Sequence, residues 1–405
     1  MTQIAVIGAG QAGMALAARL RTLGFDGRIT LIGAEPTPPY QRPPLSKKYM
    51  AGDMALERLF LRPTKFYEDN DITLHTGAQV VALDPAAMTV HLADGATVRA
   101  DRIALTTGAD PITLPAQLCG GQPGVYTMRT LADADAMASE FRAGRRVLVV
   151  GGGYIGLEAA AVATTKGLSV TLVEMAPRIL ARVAAEQTAD WFRSLHQAQG
   201  VDIREGSGLI ALERLPDGTF HATLGDQTSL IVDFVVCGIG VRPTTALAAA
   251  AGLAIDNGIA VDSFGCTSHP AIFAAGVCAS FPWKDQRIRL ESVPHAIAQA
   301  EATAASMLDA GTAYVARPWF WSDQYDVKLR IAGLNTGYDS VIVRQGDRPG
   351  SQSHWYFAGD RLLAVDAMKD PRAYMAGKRW IEADQSPHKA SLADSSLPLK
   401  TLNVC

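Results

Sequence analysis

Residues 147–158, VLVVGGGYIGLE, run an apolar strand into a glycine turn and the turn into a helix. The chain opens with the same device, IAVIGAGQAGMALAARL at 4–20. The spacing of the glycines has a physical meaning when such a turn meets a dinucleotide. The first permits the tight turn, the second lets backbone approach a pyrophosphate, and the third lets helix pack on strand. These are Gly8, Gly10 and Gly13 in the first copy and Gly151, Gly153 and Gly156 in the second. Each copy continues into a second strand that ends in an acid: RITLIGAE at Glu35 and SVTLVE at Glu174. An acid at that point accepts a hydrogen bond from a ribose hydroxyl and repels a 2′-phosphate. Glu174 therefore predicts NADH rather than NADPH at the second turn. Arg178 and Arg182, the cations a 2′-phosphate would want, are expected on an ordinary solvated helix face.

Two dinucleotide sites on one chain suit one nucleotide that delivers a hydride and one that receives it. A flavin receives it well, because it takes two electrons together and can release them singly. FAD is assigned to the first turn and NADH to the second.

The totals bound the rest. A chain of 405 residues is long for one core and suggests two or three domains. The net charge is only −3, and no lysine and arginine run is long enough to grip nucleic acid. The uncharged stretch Ile4–Ala18 lacks a basic lead-in, so it reads as strand, turn and helix rather than a leader. No uncharged apolar segment approaches the length needed to span a bilayer, and a soluble protein is expected. Cys119, Cys237, Cys266, Cys278 and Cys405 are odd in number and scattered, with no CxxC pair. They suit a reducing cytoplasm and argue against structural disulfides or a metal site.

Later segments fit the same plan. DRIALTTGAD (101–110) and FVVCGIGVRP (234–243) read as strands closing into turns where the chain crosses between domains. HPAIFAAGVCA (269–279) reads as another strand and glycine turn, and ESVPHAIAQAEATAASML (291–308) as a helix with Pro294 near its start. After Pro318 the texture turns to strands such as VKLRIAGL, DSVIVRQ, HWYFAGD and RLLAVDAM. The fold class is α/β, with two Rossmann-like dinucleotide-binding domains in a glutathione-reductase-like architecture and a C-terminal α+β domain. Residues 1–110 and 241–317 form the expected FAD domain, 111–240 the NAD domain and 318–405 the third. PTPPYQRPPLSKKY (36–49) contains no cysteine and no other redox pair is visible, so the electron acceptor is a separate molecule.

PYQRPPLSK after the first acid, GGGYIGLE, the GIG turn at 238–240 and PWFWSDQY at 318–325 together resemble the putidaredoxin reductase-like family, the NADH-dependent ferredoxin reductases that serve oxygenases. The likeness covers nearly the whole chain. It implies electron flow from NADH through FAD to a small, acidic iron–sulfur ferredoxin. By the same resemblance Gly8, Gly10, Ala12, Gly13, Glu35, Arg42, Lys47, Val80, Thr107, Gly108, Arg129, Gly276, Val277 and Val293 meet FAD. Gly151, Gly153, Tyr154, Ile155, Gly156, Glu174, Gly238, Ile239 and Gly240 meet NADH. Lys47 pairs with Glu158 near the flavin ring, where a cation would favour negative charge and a carboxylate would hold the cation in place. Trp319 and Trp321 match tryptophans near the flavin, with Trp321 placed beside the flavin or at the docking surface. His295 lies on a helix the family sets against the flavin, but a helix-capping or solvent-facing role is expected for its side chain.

Two positions depart from the family. Val277 stands where relatives have an aspartate that bonds the ribityl chain. Glu301 stands where a relative carries a base that meets its acidic ferredoxin, leaving Arg344, Lys369, Arg372, Lys378 and Arg379 to attract such a partner. A rubredoxin reductase, an NADH oxidase, and a redox-sensing protein resembling apoptosis-inducing factor remain alternatives. Oligomeric state stays open.

Overall fold

The computed structural model describes residues 2–404, so Cys405 lies outside the described residues. Contacts divide the chain into two units. One takes the chain up to Gln41, then Ala55–Asp110 and Val241–Pro318; the other takes Arg42–Met54, Pro111–Gly240 and everything from Trp319 onward.

The first unit is built on a five-stranded parallel sheet in the order Ile272–Ala274, Arg102–Leu105, Gln3–Ile7, Arg28–Ile32, Ile72–His75. Its inner strands are continuous apolar runs because both faces of a parallel sheet are covered. The helix Gln11–Thr22 follows the first glycine turn and shares a core with Val293–Ser306, where Leu16 and Leu20 join Ala300 and Ala304. The second helix begins on the Ser292 side chain, which accepts from the His295 backbone N–H, with proline in the first turn.

His295 itself corrects an expectation. It neither caps the helix with its side chain nor faces solvent. The ring is 4% exposed, stacked on Phe281 at 5.0 Å and 18°, with Nδ1 3.0 Å from the Tyr314 hydroxyl. Serine already holds the cap, so the imidazole is free to pack inward, and burial lowers its pKa to about 4.

The second unit repeats the parallel sheet in the order Asp202–Glu205, Ser169–Glu174, Arg146–Val150, Phe234–Cys237, Val125–Thr127. It adds a five-stranded antiparallel sheet, Trp319–Gln324, Val327–Gly333, Arg361–Met368, Gln352–Ala358, Ser340–Gln345. The helix Pro371–Glu382 covers that sheet, with Trp380 against Trp355 at 5.6 Å. The expected boundary at 318 falls at the break between the two units, but the expected NAD domain and third domain lie in one unit. Val327, Leu329 and Met368 share one apolar cluster with Val147, Val149, Leu157 and Phe192. Residues 42–54, expected with the first domain, join this unit as well, and Met50 is in the same cluster.

A buried polar group reinforces that junction. Thr188, near the start of the helix Glu186–Ala198, donates to Asp366 Oδ2 at 2.8 Å and lies 2.7 Å from His354 Nδ1. The Tyr356 hydroxyl donates to the same carboxylate oxygen and accepts from the Ala185 N–H at 3.1 Å. Burial drives the titrations. It lowers the His354 pKa from 6.5 to about 4 and raises that of Asp366 from 3.8 to about 6.

The signs oppose. His354 folds neutral, so its contribution is complete above pH 6.5 and is lost as pH falls toward 4. Asp366 keeps its proton up to about pH 6 in the fold, so its contribution is complete below pH 3.8 and is lost as pH rises through about 6. In His354→Gln only the second slope remains. Chemical denaturation should therefore show the variant gaining on the natural chain by about 3 kcal/mol between pH 6.5 and 4. A constant offset across that range would contradict the burial of a neutral histidine.

Candidate functional site

The two glycine turns are near copies in their backbone. Gly8 has φ +109° and Gly151 φ +106°. A Cβ on Gly8 would lie 2.3 Å from the Thr106 carbonyl oxygen, and one on Gly151 2.5 Å from that of Gly238. A Cβ on Gly13 or Gly156 would lie 2.0 Å from the carbonyl oxygen of Gly8 or Gly151 respectively. The middle glycines differ from these. Gly10 and Gly153 have nothing within 4 Å of a Cβ position, and each caps its helix with no side-chain partner. That open ground before a row of helix N–H groups is what a pyrophosphate needs, so the residues present fit FAD and NAD(H).

Around the first turn, Glu35 accepts from the Tyr40 hydroxyl at 2.6 Å. Thr107 donates to the Thr244 carbonyl at 2.7 Å, and the Gly108 carbonyl accepts from the Thr244 N–H at 3.0 Å. Gly276, at φ +86°, approaches Ala12 so closely that a Cβ would meet the alanine methyl at 2.9 Å. Its N–H is held by the buried Gln299 side chain at 2.8 Å. Val277 follows with its carbonyl 3.4 Å from Nη1 of Arg289. Val293 opens the helix Val293–Ser306, and Val80 opens the strand Val80–Asp84.

Around the second turn, the Glu174 carboxylate takes two backbone donors, Gly152 N–H and Ala176 N–H, each at 2.7 Å. Tyr154 opens the helix Tyr154–Thr165 with its ring 5.1 Å from that of Phe320, Ile155 beside it is exposed, and so is Ile239. Gly238 donates to the Val150 carbonyl at 2.8 Å, and Gly240 accepts from Ile112 at 2.9 Å. Arg178 and Arg182 stand in the loop between the strand Ser169–Glu174 and the helix Glu186–Ala198, so the expected helix face is not where they sit. Arg178 is turned inward to the Ala184 carbonyl at 2.8 Å, which holds that loop; Arg182 is exposed.

The strongest electrostatic feature is the pair Lys47–Glu158. The ammonium lies 2.6 Å from Oε2, with side chains 17% and 5% exposed. Ser46 donates to the same oxygen at 2.8 Å, and Ser322 donates to Oε1 at 2.7 Å. Arg42 reaches the Arg129 carbonyl at 2.7 Å, so these two arginines meet through backbone. Trp321 lies 5.6 Å from Trp319, half-buried on its strand. Ser46 and Ser322 were not singled out from sequence. The signal was present in WFWSDQ: period two puts Phe320, Ser322 and Gln324 on one face, and a polar pair on a buried face needs partners.

The model of the pyridine nucleotide-disulphide oxidoreductase family matches residues 2–300, and the reductase C-terminal model matches 319–403. The chain belongs to the pyridine nucleotide-disulphide oxidoreductase family. It is 40% identical over 403 residues to a ferredoxin–NAD(P)(+) reductase of a Sphingomonas species, covering 98% of this chain and 96% of that protein. It is 40% identical over 399 residues to rhodocoxin reductase of Rhodococcus erythropolis, covering 98% and 93%. Its fold matches the reductase in the covalent putidaredoxin reductase–putidaredoxin complex with a TM-score of 0.94 at 39% identity, covering 98% of this chain and 97% of that one. FAD and NAD(H) are the cofactors this family membership carries.

Several expected surface cations are otherwise engaged. Arg344 is 6% exposed, and its guanidinium binds the carbonyls of Leu392, Asp394 and Leu397, so it cannot attract a partner. Lys369 pairs with Asp326 at 2.6 Å, and Arg372 pairs with Asp347. Lys378 lies 3.8 Å from Glu382, Arg379 is exposed, and Glu301 is exposed on its helix.

Lys47→Met should strand a buried carboxylate at a cost of about 3 kcal/mol, and Glu158→Gln should cost less because the amide can keep a serine donor. The double variant should recover about 1–3 kcal/mol relative to the sum in chemical denaturation. Simple additivity would mean the pair contributes nothing as a pair.

Proposed function

We propose that this chain is an NADH-dependent ferredoxin reductase that passes electrons one at a time to a small iron–sulfur ferredoxin feeding an oxygenase. The observation that carries the proposal is the coexistence of two open glycine turns with a half-buried lysine held by a buried glutamate. FAD, when bound, supplies an acceptor that takes a hydride and can discharge in single-electron steps. The remaining work falls to the chain's own side chains. The turn at Gly8–Gly13 binds the FAD pyrophosphate, and Glu35 accepts from its ribose. Arg42, Arg129, Val80, Thr107, Gly108, Gly276 and Val293 line the same cofactor. The turn at Gly151–Gly156 binds NADH, with Glu174 toward the adenine ribose. Lys47, held by Glu158, would give the flavin a fixed cation, and Trp321 would offer it an aromatic face.

A thiol relay has little support in these residues. Burial pushes the thiols of Cys237, Cys266 and Cys278 up, which disfavours the reactive thiolate. The acceptor is then a separate carrier, and the exposed Arg379 beside Met375 on the helix Pro371–Glu382 supports an acidic one. The chain works in the cytoplasm, where NADH and reduced thiols coexist.

The test is turnover of the yellow holoenzyme with NADH and a panel of ferredoxins and rubredoxins. We expect NADH to exceed NADPH in kcat/KM by at least about tenfold, equivalent to about 1.4 kcal/mol, because Glu174 faces the 2′ position. Ferredoxins should be reduced faster than rubredoxins or oxygen. Rapid oxygen consumption with slow carrier reduction would favour an oxidase, and NADH binding without turnover would favour a sensor.

Val277 gives a second test. Valine cannot accept from a ribityl hydroxyl, and a charged acceptor there is worth about 1.5–3 kcal/mol. Val277→Asp should tighten FAD binding at least about tenfold when FAD is titrated back into flavin-free protein. Arg289, whose buried Nε has no hydrogen-bond partner among the described residues, is the competitor for the new carboxylate. Unchanged affinity in both Val277→Asp and Val277→Asp with Arg289→Leu would show that the missing bond does not limit retention.

A further inference from the structure

Behind Glu158 lies a chain of hydrogen bonds that the proposed reaction does not use. Ser322 Oγ, which donates to Glu158 Oε1 at 2.7 Å, accepts from Gln324 Nε2 at 3.1 Å. Gln324 Oε1 is 2.8 Å from His196 Nε2, and His196 Nδ1 is 3.2 Å from the Tyr325 hydroxyl. His196, Ser322 and Gln324 are at most 1% exposed. Burial lowers the His196 pKa, so the ring is neutral and one nitrogen donates while the other accepts.

These contacts admit one consistent direction. Gln324 Oε1 can only accept, so His196 carries its proton on Nε2. Its Nδ1 then accepts from Tyr325. With its oxygen committed to histidine, Gln324 must offer its amide N–H to Ser322, and the single Ser322 proton is left for Glu158. The opposite tautomer reverses every step. A proton on Nδ1 would turn the Gln324 amide over, bring its oxygen to Ser322, and draw the serine proton away from the carboxylate.

The far end of the chain is itself constrained. Tyr325 lies at φ +54° in the two-residue turn between the strands Trp319–Gln324 and Val327–Gly333. A bulky side chain rarely adopts that left-handed conformation. Here it brings the tyrosine ring to 5.1 Å from the imidazole and its hydroxyl to Nδ1. Strain of this kind persists where the surroundings over-determine it.

We infer that His196, Gln324 and Ser322 are positioning residues for the Lys47–Glu158 pair, directing one serine proton onto Glu158 so that less of its negative charge opposes Lys47. The inference rests on the proposed place of that pair beside the flavin. Its consequence is a stronger net positive field from Lys47 at the ring, which favours the electron-rich state of the cofactor. None of the three residues need touch the cofactor.

The experiment reads the equilibrium of the holoenzyme flavin with a reference dye, independent of turnover. Gln324→Leu should shift that equilibrium about tenfold toward oxidised flavin, ~30 mV for a two-electron couple. His196→Leu should do the same, and His196→Gln, which keeps an N–H donor for Gln324, should stay near the natural value. Ser322→Ala combined with Gln324→Leu should shift no further than Ser322→Ala alone. Nitrogen NMR of His196 should report the Nε2–H tautomer at pH 7 to 8, and this reading survives if a variant folds poorly. An Nδ1–H tautomer, additive shifts, or unchanged equilibria in Gln324→Leu and His196→Leu while Lys47→Met shifts its own would overturn the inference. If Lys47→Met also leaves the equilibrium unmoved, the flavin-side place of the pair falls first and the inference falls with it.

Discussion

A carboxylate taken out of water must be paired and hydrogen-bonded or it costs several kcal/mol, and that demand acts on Glu158, 4% exposed. Its donors come from far along the chain, Ser46 and Lys47 on one side and Ser322 on the other. Satisfying one buried acid therefore draws the segment 42–54 and the first C-terminal strand onto the helix after the second glycine turn. This is why residues 42–54 group with that helix and not with their sequence neighbours. Met50, packed in the apolar cluster with Leu157 and Phe192, adds burial that the ion pair alone would not supply.

The helix Glu186–Ala198 shows the same logic at both ends. Its inward face carries Thr188, Ala189, Phe192 and His196, an apolar centre flanked by two buried polar groups. Thr188 meets Asp366, Tyr356 and His354; His196 meets Gln324 and Tyr325. Apolar contact tolerates sliding, whereas these hydrogen bonds have one geometry each. A slip of one residue along the antiparallel sheet would turn Gln324 or Asp366 to the opposite face and leave both clusters unsatisfied. The polar ends fix register, and the apolar middle supplies most of the attraction.

Much of this was legible from residue order. Glycines at fixed offsets between an apolar strand and a small-residue helix specify a turn through backbone sterics alone, and both turns form where the spacing puts them. The strands after Pro318 were equally visible, because alternation and β-branched residues report a half-buried sheet directly. What escaped was tertiary. His295 was expected to cap its helix or face solvent, and nothing local told that Phe281 and Tyr314 would pack against it. Arg344 read as a surface cation because its partners are carbonyls some fifty residues away. Ser322 and Gln324 were quoted only as part of a motif, since their meaning depends on Glu158 and His196 arriving opposite them.

The two glycine turns finally show how one backbone supports two different acids. In the first copy Glu35 takes the hydroxyl of Tyr40, a side-chain donor. In the second copy Glu174 is fixed by two backbone N–H groups, one of them from Gly152 inside the turn itself. Backbone donors in a packed turn do not reorganise when a ligand arrives, so the carboxylate is preorganised and its negative charge has nowhere to swing. A 2′-hydroxyl can donate to the acceptor capacity each oxygen still holds, but a 2′-phosphate offers only more negative charge. Arg178, a cation of the following loop, is turned to the Ala184 carbonyl. On the proposed reading, selectivity at the second turn resides less in the presence of an acid than in how the backbone has immobilised it.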